Sequence, residues 1–83
     1  MKGKNLRLDK FLKVSRLIKR RSVANKFCTA KKIYLNNKIA KASTQVKLND
    51  ILKIDLKVPI TVKILKITEF STKETANEMY EII

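Results

Sequence analysis

The sequence predicts a single α+β domain in which two N-terminal helices pack on a small, mainly antiparallel β-sheet. Three observations predict it: apolar residues recur at helical spacing up to about residue 30, they alternate with polar residues after Lys32, and asparagine-rich turns separate the alternating runs. With 83 residues, 45% of them hydrophobic, the chain can furnish one modest core and no large enclosed pocket.

Met1 to Asn5 offer nothing to bury and read as a flexible basic arm, residues 1–5. Structure is expected to begin near Leu6, with Leu8, Phe11, Leu12 and Ser15 on one face of a first amphipathic helix and Arg7, Lys10 and Lys13 on others. A second helix is expected from Ser22, whose hydroxyl suits an N-cap, to about Ala30, with Val23, Ala24, Phe27 and Cys28 on its apolar side. Ile33-Tyr34-Leu35 and Lys38-Ile39-Ala40 flank Asn36-Asn37, a pair suited to a tight β-hairpin. Leu52, Ile54 and Leu56 mark a half-buried strand entered through a turn at Leu48-Asn49-Asp50, with Asp50 as a turn former. After Pro59 the run Ile60, Val62, Ile64 continues the alternation, and the phase shift to Leu65 and Ile67 requires a bulge or a strand end. The domain is thus placed at residues 6–70. Residues 71–83 form a tail packed on it or extending from it.

Charge gives the first indication of function. Lysine and arginine number 20 against 7 acids, a formal net charge of +13, and such a surface seeks polyanions. The charge is segregated: residues 1–21 carry 9 basic residues and one acid, residues 22–49 carry 6 and none, and residues 50–83 carry 5 and 6. The partner is therefore expected to meet the first half. The cations concentrate at Arg7, Lys10, Lys13, Arg16, Lys19, Arg20 and Arg21, with Lys31 and Lys32 further on, and phosphate binding is their natural chemistry. Asp9, the acid within this segment, is expected to be structural, favoured by the helix dipole and placed to orient Arg7, Arg16 or another nearby arginine. Tyr34 and Phe27 are expected in the core rather than as stacking platforms.

Other chemistries find little support. The chain has no histidine, one cysteine and one glycine, so a base for a nucleophile would have to be a lysine or a carboxylate and nothing local suggests such a pair, no cysteine–histidine metal cluster is spelled out, and no glycine-rich phosphate loop is possible. Cys28 is expected to pack as a small hydrophobe. The reading is of a cytoplasmic, non-enzymatic protein without cofactors. A membrane-surface role is disfavoured by the short apolar side of the first helix.

The set Arg7-Leu8-Asp9-Lys10-Phe11-Leu12, Arg16, Arg20-Arg21-Ser22-Val23-Ala24, Ile33-Tyr34-Leu35-Asn36-Asn37-Lys38 and Asp50 resembles the S4-type RNA-binding domain, the alpha-L motif, over roughly residues 6 to 56. The run from Arg7 through Ala24, with the ending Met79-Tyr80-Glu81-Ile82, resembles the short stand-alone members that serve bacterial ribosome-associated quality control, relatives of heat-shock protein fifteen. The resemblance implies an alpha-L fold. It also implies binding to large ribosomal subunits holding a stalled nascent chain, contact with large-subunit rRNA and tRNA, cooperation with the alanine-tailing quality-control factor, and a monomer off the ribosome. Carried over by position, the RNA-facing residues are Arg7, Lys10, Arg16, Lys19, Arg20 and Arg21, with Lys31 and Lys32 at the edge, and Asp9 is structural. The sequence departs from the family where Lys31-Lys32, Asn37 and Asn49 stand at positions that commonly hold glycine. The alternative is a general RNA chaperone or ribosome assembly factor.

Overall fold

The computed structural model describes residues 6–68 and 72–83. The N-terminal arm expected at residues 1–5 lies outside the described residues, as do the last two residues of the expected domain and the first of its tail, Ser71.

Structure begins at Leu6 as a short strand, β1 (Leu6–Arg7), and the first helix, α1 (Leu8–Val14), starts at Leu8, where its apolar periodicity begins. β1 pairs with β4 (Gln45–Val46), Leu6 opposite Val46 and Arg7 opposite Gln45. That pairing lays residues 41–45 over the start of α1, whose first amides have no partner within the helix. The Leu8 amide donates to the Thr44 carbonyl at 2.7 Å, the Asp9 amide to the Ala42 carbonyl at 3.2 Å, and the Lys10 amide to Asp9 Oδ1 at 2.8 Å.

Both N-terminal helices end in left-handed backbone. After α1, Arg16 has φ 64°, its amide donating to the Lys13 carbonyl while the Ile18 amide reaches the Leu12 carbonyl. After α2 (Arg21–Thr29), Lys31 has φ 61°, with its amide on the Cys28 carbonyl and the Lys32 amide on that of Phe27. This second arrangement is a Schellman motif with lysine at the position glycine usually fills. The turn before Ile33 is thus made without glycine.

α2 begins one residue before the expected cap. Arg20, extended at φ −126° and ψ 139°, is the N-cap and supplies no side-chain bond, and Ser22 lies inside the first turn. The expectation that Ser22 caps this helix is therefore corrected. Arg21 and Asn25, four residues apart and so on one face, both reach the same carboxylate, Asp9 of α1.

The strands β2 (Ile33–Leu35), β3 (Lys38–Ile39), β5 (Ile51–Ile54), β6 (Ile60–Ile64) and β7 (Tyr80–Ile82) form a sheet in the order β3-β2-β5-β6-β7, every neighbouring pair antiparallel. The β2–β3 turn uses Asn36 and Asn37 at φ 52° and 71°, the two positive angles a type I′ hairpin requires. Asn49, φ 71°, makes the turn before β5. Asp50 is structural there: its carboxylate accepts from the Lys47 amide at 2.8 Å and from Asn36 Nδ2 at 3.1 Å. β6 stops at Ile64, so the phase shift at Leu65 marks a strand end; the Leu65 amide turns to the Met79 carbonyl. Between them α3 (Lys73–Asn77) is capped by Thr72, whose hydroxyl accepts from the Thr75 amide.

Cross-strand register puts Ile33, Ile54 and Ile60 in one row and Leu35, Leu52 and Val62 in the next, all on one face. Ile33, Leu52, Ile54, Val62 and Ile64 are fully buried there with Leu8, Phe11 and Leu12 of α1, Ala24 of α2, and Met79. Each large side chain so buried contributes about 1.5–3 kcal/mol. Phe27 is half-buried against this core as expected. Tyr34 is not: it alternates onto the opposite face of the sheet, where it is half-buried, so its assignment to the core is corrected.

Candidate nucleic-acid interface

The expected cationic residues are gathered around α1, α2 and the bend between them. At the centre is Asp9, 1% exposed. Its Oδ1 accepts from Arg7 Nε at 3.3 Å, and its Oδ2 accepts from Arg7 Nη2 at 3.3 Å and from Asn25 Nδ2 at 2.9 Å. Arg21 Nε lies 3.1 Å from the same Oδ2. Arg16, a partner considered for Asp9, is not among these contacts: its left-handed backbone carries it out to solvent.

Burial works against the Asp9 charge, but the hydrogen bonds from Arg21 and Asn25, the Arg21 charge and the Lys10 amide together hold its carboxyl below the usual value of 3.8. The ionised carboxylate is therefore a fixed anchor for two arginines. Both arginine side chains remain about half exposed, 50% and 46%, and each guanidinium has five donors, more than one shared carboxylate takes up. Two forks are thus held at preset positions while keeping donors for a phosphate, which lowers the ordering cost of binding one.

Lys13, Arg16, Lys19 and Arg20 are exposed around the bend, and Lys10 is half-buried on α1. Lys31 and Lys32 are exposed past the far end of α2, about 13 Å along a helix of 9 residues from Arg21, so they border the cluster rather than join it. Beneath the bend, Leu17 packs against the core and Ile18 is buried, so apolar anchors hold a surface of cations.

Two contributors escape sequence reasoning. Asn25 steadies the clamp, donating to both Asp9 and the Arg21 carbonyl. Lys41 is exposed in the 41–44 loop that covers the start of α1, its amide held by Thr44 Oγ1 at 3.0 Å. Only its charge marked it beforehand, since the loop has no periodicity to place it.

Cys28 belongs to the core, and burial, with the Asp9 charge, pushes its thiol up to about 11. Among the described residues no group of three potential metal ligands is assembled, and no helix is long and apolar enough to cross a membrane.

Comparison with known proteins places these features in context. The model of the S4 domain family matches residues 6–52. The chain is 46% identical over 79 residues to the RQC P-site tRNA stabilizing factor of Halalkalibacterium halodurans, covering 93% of this chain and 89% of that protein. The factor of the same name from Streptococcus pneumoniae is also 46% identical, over 94% of this chain and 90% of its own. That from Bacillus subtilis is 43% identical, over 94% and 92%. Among solved structures, the trimeric heat shock protein 15 of Vibrio cholerae superposes with a TM-score of 0.89 at 27% identity, covering 96% of this chain and 83% of that one.

Proposed function

The chain belongs to the S4 domain family, and we propose on that footing that it is an RNA-binding factor of ribosome-associated quality control. It binds large ribosomal subunits that hold a stalled nascent chain, touching large-subunit rRNA and the tRNA that bears the chain, and it supports template-independent alanine tailing by the quality-control factor. The names of the relatives, which cover nearly all of this chain, support the role in quality control and the tRNA partner.

The observation that carries the reading is the Asp9 clamp under the Arg16–Arg21 bend. It supports Arg7, Lys10, Lys13, Arg16, Lys19, Arg20 and Arg21 as the RNA contacts, with Lys31, Lys32 and Lys41 around them. A-form RNA hides its base edges in a deep major groove, so a surface of this kind reads phosphate positions and shape. The protein's contribution is placement: it holds the peptidyl-tRNA while the tailing factor cycles, makes and breaks no bond, needs no cofactor, and acts in the cytoplasm as a monomer when off the ribosome.

Gradient sedimentation of lysate tests this with wild type and an Arg16→Ala/Arg20→Ala variant, which spares the clamp. Co-migration with large subunits bearing peptidyl-tRNA, lost in the variant together with alanine tailing, is the expected result. A wild type spread over all RNA at the same ionic strength would instead favour a general RNA chaperone or assembly factor.

A further inference from the structure

The register of the sheet sorts its side chains onto two faces, and the core accounts for only one. On the other, Tyr34 lies between Ile39 of β3 and Lys53 of β5, with Thr61 of β6 beyond Lys53. The next row places Lys63 between Ile51 and Glu81. All of these are half-buried or exposed, whereas Ile33, Leu52, Ile54, Val62 and Ile64 on the same strands are fully buried under α1 and α2. Neighbouring strands are about 5 Å apart and alternate residues along a strand about 7 Å, so Tyr34, Lys53 and Lys63 share a patch of nucleotide size.

The chemistry of that patch is specific. Lys53 Nζ stands 5.9 Å from the centroid of the Tyr34 ring, within cation–π range, and the lysine stem is long and flexible enough to leave the ring for a nearby anion. An aromatic platform with cations beside it is the arrangement that takes single-stranded nucleic acid, since every base offers a π-face and every nucleotide a phosphate. A duplex keeps its bases stacked, and a protein strand brings no regular negative charge. We propose that this open sheet face is a second RNA-contact surface, separate from the helical one, that takes unpaired nucleotides: one base stacks on Tyr34 while Lys53 and Lys63 meet the flanking phosphates. The proposal shares with the reading above only the premise that the chain binds RNA. Because this face of the sheet turns away from the core that it shares with α1 and α2, a nucleotide bound on it leaves the helical cations free for a second RNA element.

The test measures binding of the full chain to a short labelled oligoadenylate and to a short RNA duplex. Tyr34→Ala is expected to weaken oligoadenylate binding about 5- to 150-fold, the range for removing a stacking side chain, while Tyr34→Phe retains it. Lys53→Gln/Lys63→Gln lowers the salt slope for the single strand by about 1.4, two contacts at about 0.7 each, and does not depend on how Tyr34→Ala folds. Duplex binding is unchanged in all three, and falls in Arg16→Ala/Arg20→Ala, which reports on the helical surface separately. Unchanged oligoadenylate binding in Tyr34→Ala and the lysine variant overturns the proposal, as does an equal loss on the duplex. It is also overturned if these substitutions release a ribosomal protein from captured subunits and leave oligoadenylate binding intact, which would make the face a protein contact.

Discussion

Replacing Arg16 with glycine should make the domain more stable and weaken its hold on RNA. Arg16 sits at φ 64°, where its backbone turns α1 toward the bend and its amide closes on the Lys13 carbonyl at 3.1 Å. Left-handed backbone costs a residue with a Cβ about 1–2 kcal/mol, and glycine removes that cost while giving back about 0.5–1 kcal/mol through the greater freedom of the unfolded chain. The net gain is centred on about 0.75 kcal/mol, and a domain of this size moves by about 4–8 °C per kcal/mol, so Tm should rise by about 3–6 °C. Arg16→Ala keeps the Cβ and should leave Tm unchanged. If Arg16 meets a phosphate as proposed, both variants should lower the salt slope of RNA binding by about 0.7–1. Thermal unfolding by circular dichroism and affinity titrations across salt concentrations supply the two readouts. A glycine variant no more stable than the alanine one would refute the strain argument, and an unchanged salt slope in both would remove Arg16 from the interface.

Asp9→Asn should cost about 1–2 kcal/mol in a urea titration, the scale of charge-assisted hydrogen bonds discounted for arginine side chains that are half exposed. Because the Asp9 pKa is depressed in the fold, its contribution is fully present above the unfolded value of about 4 and is lost as pH falls through the folded value. The gap between wild type and Asp9→Asn should therefore stay constant from pH 7 to about 5 and narrow only below about 4. Ser22→Ala should change stability by less than about 0.5 kcal/mol, since Ser22 is not a cap, whereas Thr72→Ala should cost about 1 kcal/mol by chemical denaturation, since Thr72 is one. Met79→Ala, emptying a fully buried position, should cost about 2–5 kcal/mol in the same measurement. Cys28, buried and with its thiol pushed up to about 11, should resist alkylation at pH 8 in the folded protein and react on unfolding, as mass spectrometry would show.

The two helices and the long strands were legible because their apolar residues keep a period: Leu8, Phe11 and Leu12 on one helical face, Leu52 and Ile54 on one face of a strand. Asn36, Asn37 and Asn49 were legible as turns because asparagine tolerates positive φ, and all three adopt it. The pairing of β1 with β4 was not, since strands of two residues have no period to read. Tyr34 went to the wrong face because Ile33-Tyr34-Leu35 is apolar throughout and its alternation shows only in the register with Ile54, Lys53 and Leu52. In the cationic cluster the charges were plain, but Asp9 chooses Arg21 and Asn25 through the packing of α1 on α2, and local spacing says nothing of that choice.

The hydrogen bonds from Leu8 to Thr44 and from Asp9 to Ala42 bear on the order in which this protein takes shape during synthesis. A helix of 7 residues such as α1 scarcely forms alone in water, and the carbonyls that complete its first turn belong to a loop translated well after it. The first turn of α1 is therefore expected to be completed only after the strand at Gln45–Val46 has been made. A peptide carrying α1, the bend and α2 would hold the charges without their arrangement, and changes in the 41–44 loop would disperse that arrangement without altering any residue of the bend.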